Sequence, residues 1–329
     1  MNNSISLGFD FGMGALKLQG PLGGLEMETQ VSVNGGQRLA RMMGLRSQKL
    51  PMQVVTSAGS FHVGPGAHNC GRAVENLDYD RLFSSAPEMR ALLYGCLTRF
   101  SQQYGPLDAP LSITVGLPLE PMAGEQATVT ANIEAVRRWM KGTHTWLSDG
   151  QEYQVDVAEV KVTSQAVGAL FDHVLDDDGR LIPARKGDFK KELGIASVGF
   201  NTVELMVVKD RSPVQKFTAG STCGVRRLLE LVNLQQFYSL GELDAQLRAG
   251  QLDVNGHIPV WAEEVRGFIE KKWGRAWRRF ASIVLVGGGA ILLRSPLTTY
   301  FEGRAVMPDD PVLATARGLY KLALSQKKE

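Results

Sequence analysis

The chain of 329 residues has only three cysteines, Cys70, Cys96 and Cys223, widely spaced and odd in number. That excludes a disulfide framework and a cysteine metal cluster, and it fits a reducing compartment, the cytoplasm. No apolar run reaches the roughly 18 residues of a membrane span, so none is expected. A basic stretch followed by an apolar one is missing at the N-terminus, so no secretory signal is expected. Charge of one sign is also scarce: the formal net charge is +2. The one basic stretch that stands clear, Glu270 to Arg279, reads as a solvated helix face, and no direct nucleic-acid binding is expected. What is present is an ordinary globular composition, 44% hydrophobic and 21% charged, with length enough for two domains.

The most informative stretch is Leu7-Gly8-Phe9-Asp10-Phe11-Gly12-Met13-Gly14-Ala15-Leu16-Lys17-Leu18. An apolar run ends in a carboxylate, two glycines alternate, and a second apolar run carries a lysine. This predicts a β-hairpin whose tight turn presents bare N–H groups to an anion, with no Cβ at Gly12 or Gly14 to block a phosphate. Asp10 is placed to hold the water shell of a magnesium ion, and Lys17 to meet a phosphate as a point charge. Taken alone, the pattern also suits an ordinary glycine-containing hairpin.

Further along, Leu25 to Val33 reads as a third strand, residues 37–51 as a loop, and Gln53 to Gly64 as a second hairpin. Pro65 to Phe83 reads as a surface loop. Pro87 to Tyr104 has a helical apolar face of Met89, Leu92, Leu93, Cys96, Leu97 and Phe100, with proline at its first position. Leu111 to Pro118 is a buried strand, 123–140 a helix, and Trp146 to Val162 a hairpin. Ser164 or Thr163 caps a helix starting at Gln165. After a charged segment, Leu193 to Val208 repeats the opening strand, glycine-containing turn and strand, as an internal duplication would. Val214 to Thr218 follows as a strand, then helices near 223–234, 240–249 and 259–280. Ile283 to Val286 is a buried strand running into Gly287-Gly288-Gly289, and a last helix follows Asp310-Pro311.

Six of these stretches together resemble the actin-like ATPases, most closely the ParM-like plasmid-segregation proteins and archaeal actin-like relatives. Asp10 to Lys17 looks like the first phosphate motif, and Val115 to Pro118 like the strand end before the second helix. Ser164 to Ala169 resembles the connecting motif, and Ser197 to Glu204 the second phosphate motif. Val286 to Ala290 looks like the adenosine motif, and Asp310 to Gly318 like the closing helix.

The resemblance implies an α/β, two-lobed, ribonuclease H-like fold, with a mixed five-stranded sheet and helices in each lobe and a nucleotide cleft between them. Residues 1–163 with 311–329 would form one lobe and 164–310 the other. ATP (or GTP) with Mg²⁺ would lie between Gly12, Met13 and Gly14 on one side and Ser197, Gly199, Phe200, Asn201 and Thr202 on the other. Gly224 and the triplet Gly287, Gly288 and Gly289 would complete the nucleotide contacts. Asp10 would hold the metal through water, Lys17 would neutralise phosphate charge, and Gln165 would orient the attacking water. The implied partners are further copies of the chain in a filament and a DNA-binding adaptor protein.

One departure stands out. Where the family has an aspartate, this chain has Ser197, which offers only a hydrogen bond. Binding of nucleotide with slow or conditional hydrolysis is therefore expected. The alternatives are a non-hydrolysing scaffold or regulator, or a small-molecule kinase or chaperone of the same superfold. The kinase reading lacks a convincing catalytic aspartate, and the chaperone reading lacks an appended domain.

Overall fold

The computed structural model describes residues 4–33, 50–75 and 77–327, so most of the loop expected at 37–51 lies outside the described residues. Strand β1 (Ile5–Phe11) shows how the chain is built. Leu7, Phe9 and Phe11 enter an apolar core on one face, while Ser6, Gly8 and Asp10 alternate onto the other. It joins β2 (Ala15–Gly20), β3 (Gly23–Glu28), β4 (Val31–Val33), β5 (Met52–Thr56), β6 (Gly59–Val63), β7 (Arg72–Ala73), β8 (Leu111–Leu117), β9 (Gly142–Ser148) and β10 (Gln151–Ser164). These form one ten-stranded sheet in the order β3-β2-β1-β8-β10-β9-β5-β6-β4-β7.

The five strands β3-β2-β1-β8-β10 are the expected mixed sheet, with β1, β8 and β10 parallel and the hairpins antiparallel. It continues beyond five because β10, at 14 residues, is long enough to serve two partners. A register shift between Val157 and Glu159 divides it. Its first half pairs with β9, and β9 in turn pairs with β5.

The second sheet repeats the plan with β11 (Leu193–Val198), β12 (Val203–Lys209), β13 (Ser212–Pro213), β14 (Ala219–Ser221), β15 (Ser282–Val286) and β16 (Ala305–Val306). Its order is β13-β12-β11-β15-β16, with β14 also on β12. Again a hairpin leads into parallel strands, as the internal duplication predicts.

The helices are α1 (Tyr79–Phe83), α2 (Pro87–Tyr104), α3 (Gln126–Met140), α4 (Gln165–Val174), α5 (Val225–Val232), α6 (Leu240–Arg248), α7 (Ile258–Trp273), α8 (Gly288–Leu292), α9 (Arg294–Tyr300) and α10 (Ala314–Gln326). The predicted apolar face of α2 is buried in the first core. A second core gathers residues of α5, α7 and α9 on the second sheet. Helix α4 packs Ala166, Ala169, Leu170 and Val174 against the opposite face of that sheet. Between α4 and α10, Arg317 donates to both oxygens of buried Asp172 at 2.7 and 2.6 Å. Lys321 lies 3.1 Å from the same carboxylate. No described helix is long and apolar enough to cross a membrane.

Three local expectations need correction. Leu25 to Val33 is not one strand, because Thr29 turns inward between β3 and β4. Its hydroxyl donates to the Gly12 carbonyl at 2.7 Å and its N–H to the Gly14 carbonyl at 3.1 Å. Val214 to Thr218 contains a 3-10 turn, Gln215–Phe217, instead of a strand. Phe217 turns into the second core, and its carbonyl accepts from the Trp273 indole at 2.8 Å. Within Pro65 to Phe83 lie β7, a 3-10 turn (Ala67–Asn69) and α1, which Asp78 caps by accepting from the Arg81 N–H.

Candidate functional site

Strand β1 carries Asp10 to its end, and the β1–β2 register sets Lys17 directly across from it. The Lys17 ammonium stands 3.3 Å from Asp10 Oδ2. On Oδ1, Asp10 accepts from the Gln165 side-chain amide at 2.6 Å. Gln165 opens α4 because Ser164 caps that helix, its Oγ accepting from the Val167 N–H. An ionised carboxylate only accepts hydrogen bonds. The Gln165 end facing Asp10 is therefore its NH₂, which leaves Oε1 as the end that can accept from a water.

The matching turn of the second sheet, residues 199–202, is closed by a Gly199 N–H to Thr202 carbonyl bond of 2.8 Å. Helix α5 hangs from this turn, since the Val225 and Arg226 N–H groups donate to the Gly199 and Phe200 carbonyls at 3.0 and 2.8 Å. The two turns meet. A Cβ added at Gly14 would fall 2.5 Å from Cβ of Phe200, so Gly14 is what lets them touch. After β15, the Gly287 N–H donates to the Pro311 carbonyl at 2.7 Å, and Gly288 and Gly289 open α8 beside the same space.

These groups line one cavity of about 380 Å³, within the roughly 300–1,000 Å³ of small-molecule sites. Asp10, Gly12, Met13, Gly14, Lys17, Gln165, Ser197, Gly199, Phe200, Asn201, Thr202, Gly287, Gly288 and Gly289 all border it. Gly224 does not. It lies behind the 199–202 turn, where a Cβ would sit 2.4 Å from the Phe200 carbonyl oxygen, so it supports the turn from outside the cavity.

The lining also holds residues that sequence patterns did not single out, among them Tyr79, Glu26, Asp244 and Arg248. For Tyr79 a signal existed, since Asp78 is a good cap and Leu82 follows at helical spacing. Glu26 and Arg248 are 222 positions apart and carry no local signal. Behind the cavity, Glu204 is the register partner of Ser197 and so shares its face of the sheet. It is 2% exposed, and its Oε1 accepts the Leu119 N–H at 2.9 Å across the two halves. Its Oε2 is buried without a hydrogen-bond partner. Burial pushes the Glu204 carboxyl up to about 8, and the charges of Asp10 and Glu120 act in the same direction.

Among the described residues, no group of three or more His, Cys, Asp or Glu side chains is arranged to hold a metal ion. An ion such as magnesium, which keeps several waters and takes one or two carboxylates along with phosphates, does fit beside Asp10.

Residues 8–168, from β1 through the first sheet into α4, match the family model described as Actin like proteins N terminal domain. That stretch of the chain is similar to the actin-like proteins. The chain's actin-like fold is shared over nearly its whole length with solved structures. One is apo ParM of pSK41, with 14% identity, coverage of 99% of this chain and 98% of that one, and a TM-score of 0.73. Another is Ta0583, an archaeal actin homologue, with 20% identity, 97% and 99% coverage and a TM-score of 0.70. A third is a 15-stranded ParM filament from Clostridium botulinum, with 18% identity, 99% coverage of both chains and a TM-score of 0.72. No curated protein matches the chain in sequence.

Proposed function

We propose that this actin-like protein binds a nucleoside triphosphate with Mg²⁺ between its two sheets, polymerises in that state, and hydrolyses the nucleotide slowly. The observation that carries this is the convergence of the 12–14 and 199–202 turns, from separate sheets, on one cavity that also holds Asp10, Lys17 and Gln165. Ta0583 has also been solved in complex with ADP, at 18% identity and a TM-score of 0.70 to this chain. ParM of Clostridium botulinum forms filaments, which supports self-association here. A DNA-segregation or positioning role through an adaptor protein, in the cytoplasm, belongs to the same proposal. So does a division into lobes of 1–163 with 311–329 and 164–310, meeting where α4 crosses α10.

Bound Mg²⁺ would supply charge neutralisation of the phosphates, with its waters held by Asp10. Lys17 adds a second positive charge beside the phosphate chain. The backbone N–H groups of both turns would meet the anion, except that of Gly199, which is bonded to the Thr202 carbonyl. Gln165, held by Asp10 through its NH₂ end, presents Oε1 to orient a water, a task that needs no shifted pKa. Ser197 supplies no carboxylate, which is why turnover is slow. That same residue is the observation favouring the second reading, a nucleotide-binding regulator that does not hydrolyse.

Light scattering and pelleting with ATP·Mg²⁺, GTP·Mg²⁺ or neither test this. Scattering should rise with one nucleotide, and Asp10→Ala should weaken nucleotide binding at least about tenfold, the loss of one charge-assisted contact. Absence of nucleotide binding by the wild-type protein, or wild-type affinity in Asp10→Ala, would count against the proposal. Binding without a scattering rise selects the regulator. Ser197→Asp should speed phosphate release several-fold, as measured by a coupled phosphate assay. An unchanged rate would mean that the missing carboxylate is not what limits turnover.

A further inference from the structure

Helix α6 belongs to the second half of the molecule, with Leu243 in that half's core, yet both its ends touch the first half. Near its start, Gly241 lies against the imidazole of His68, so closely that a Cβ there would fall 2.2 Å from His68 Nδ1. At its end, Arg248 donates to Glu26 Oε1 on β3 at 2.6 Å, while its Nε donates to Asp244 at 2.8 Å. Glu26, Asp244, Leu247 and Arg248 all border the candidate nucleotide cavity. The two contacts are seven residues apart, about 10 Å along a helix, so α6 lies as a strap along one side of the cavity.

These contacts are of a kind that can part. Arg248 and Glu26 are 32% and 35% exposed, and an ion pair at such a site contributes little net stability and weakens with salt. His68 brings an imidazole, with both ring nitrogens buried and without hydrogen-bond partners, so no strong bond holds that end. Separation at the Glu26 end also uncovers charged groups, which water receives readily.

We propose that α6 is a latch across the cleft, with the Glu26–Arg248 pair as its catch, and that it governs how fast nucleotide enters and leaves. The exchange part rests on the nucleotide reading above; the latch itself does not. The test uses the full chain as wild type, Glu26→Gln and Arg248→Gln. Without nucleotide, the distance between spin labels placed on β3 and α7 reports opening. With a fluorescent ATP analogue, stopped-flow mixing reports release.

Each single variant should widen the distance distribution and speed release at least fivefold. Raising salt should open the wild type and leave the single variants unchanged. Faster release in Glu26→Gln, which leaves Arg248 in place, separates a latch from a direct Arg248–phosphate contact. Single variants that keep the wild-type distances and open with salt as the wild type does would overturn the latch. If the wild type binds no nucleotide, the functional reading fails, and the distances still decide the latch.

Discussion

Gly318→Ala should destabilise the fold by at least about 4 kcal/mol, at the far end of single-substitution effects. Where α10 crosses α4, a Cβ at Gly318 would lie 1.8 Å from the Gly168 carbonyl oxygen and 2.5 Å from the Asp172 amide nitrogen. Both obstacles are backbone, so no side chain can rotate aside. Retreat of α10 is blocked from behind, because Gly8 on β1 meets it as closely: a Cβ there would fall 2.1 Å from the Ala316 carbonyl oxygen. Moving the helices apart would also stretch the Arg317–Asp172 pair and leave a buried carboxylate poorly matched. Gly168→Ala, whose Cβ would sit 2.6 Å from the Thr315 carbonyl oxygen, should be harmful to a lesser degree. Gly267 on α7 is the control. Open space surrounds its missing Cβ, and Gly267→Ala should stabilise by about 0.5–1 kcal/mol. Urea titrations of the three variants give the order directly. A Gly318→Ala protein within about 1 kcal/mol of wild type would show that the crossing is looser than described.

The second large effect is a change in pH dependence. Burial holds the Glu204 carboxyl near 8, against an ordinary 4.5, so the folded protein keeps a proton that the unfolded chain has released between those values. The unfolded state then binds fewer protons, and stability falls as pH rises. This contribution is fully present below about 4.5 and is lost as pH climbs through 8. At about 1.4 kcal/mol per unit, the loss is on the order of 5 kcal/mol. Glu204→Gln keeps an acceptor for the Leu119 N–H and cannot ionise. Near pH 5 the two proteins should be comparable, and near pH 8.5 the variant should be the more stable by several kcal/mol. The comparison must be between proteins at each pH. Burial depresses His68, His144 and His173, and their effect runs the other way, costing stability as pH falls. An equal pH slope in both proteins would place the Glu204 proton elsewhere.

The legible parts of the sequence were those in which a short pattern carries its own geometry. The two hairpins, β8 closing on Gly116, the α2 face and the β15–glycine junction could all be read locally. Asp10, Lys17 and Gln165 could be brought together only because each sits in a recognisable stretch. What escaped depends on partners that no local pattern names. Thr29 breaks a plausible strand to reach Gly12 and Gly14. Phe217 breaks another to reach Trp273. Glu204 reads as a polar residue in an apolar strand until Leu119 is seen to need its oxygen. Gly8, Gly168 and Gly318 look unremarkable singly, because their meaning is the backbone of another element. Glu26 and Arg248 likewise have no signal until two halves of the chain are set side by side.

The ends of the two sheets have a consequence for how this molecule can associate. Among the described residues, four of the five outermost strands, β7, β13, β14 and β16, are only two or three residues long, and one contains Pro213. The fifth, β3, carries Glu26 and Glu28, and its Gly24 carbonyl is already taken by the Tyr104 hydroxyl. Unpaired strand borders are where chains stick to one another irreversibly, and short, charged or proline-bearing borders discourage it. Borders of this kind steer copies of the protein that meet at high local concentration away from cross-β stacking and toward contacts through helices and loops, which can come apart again.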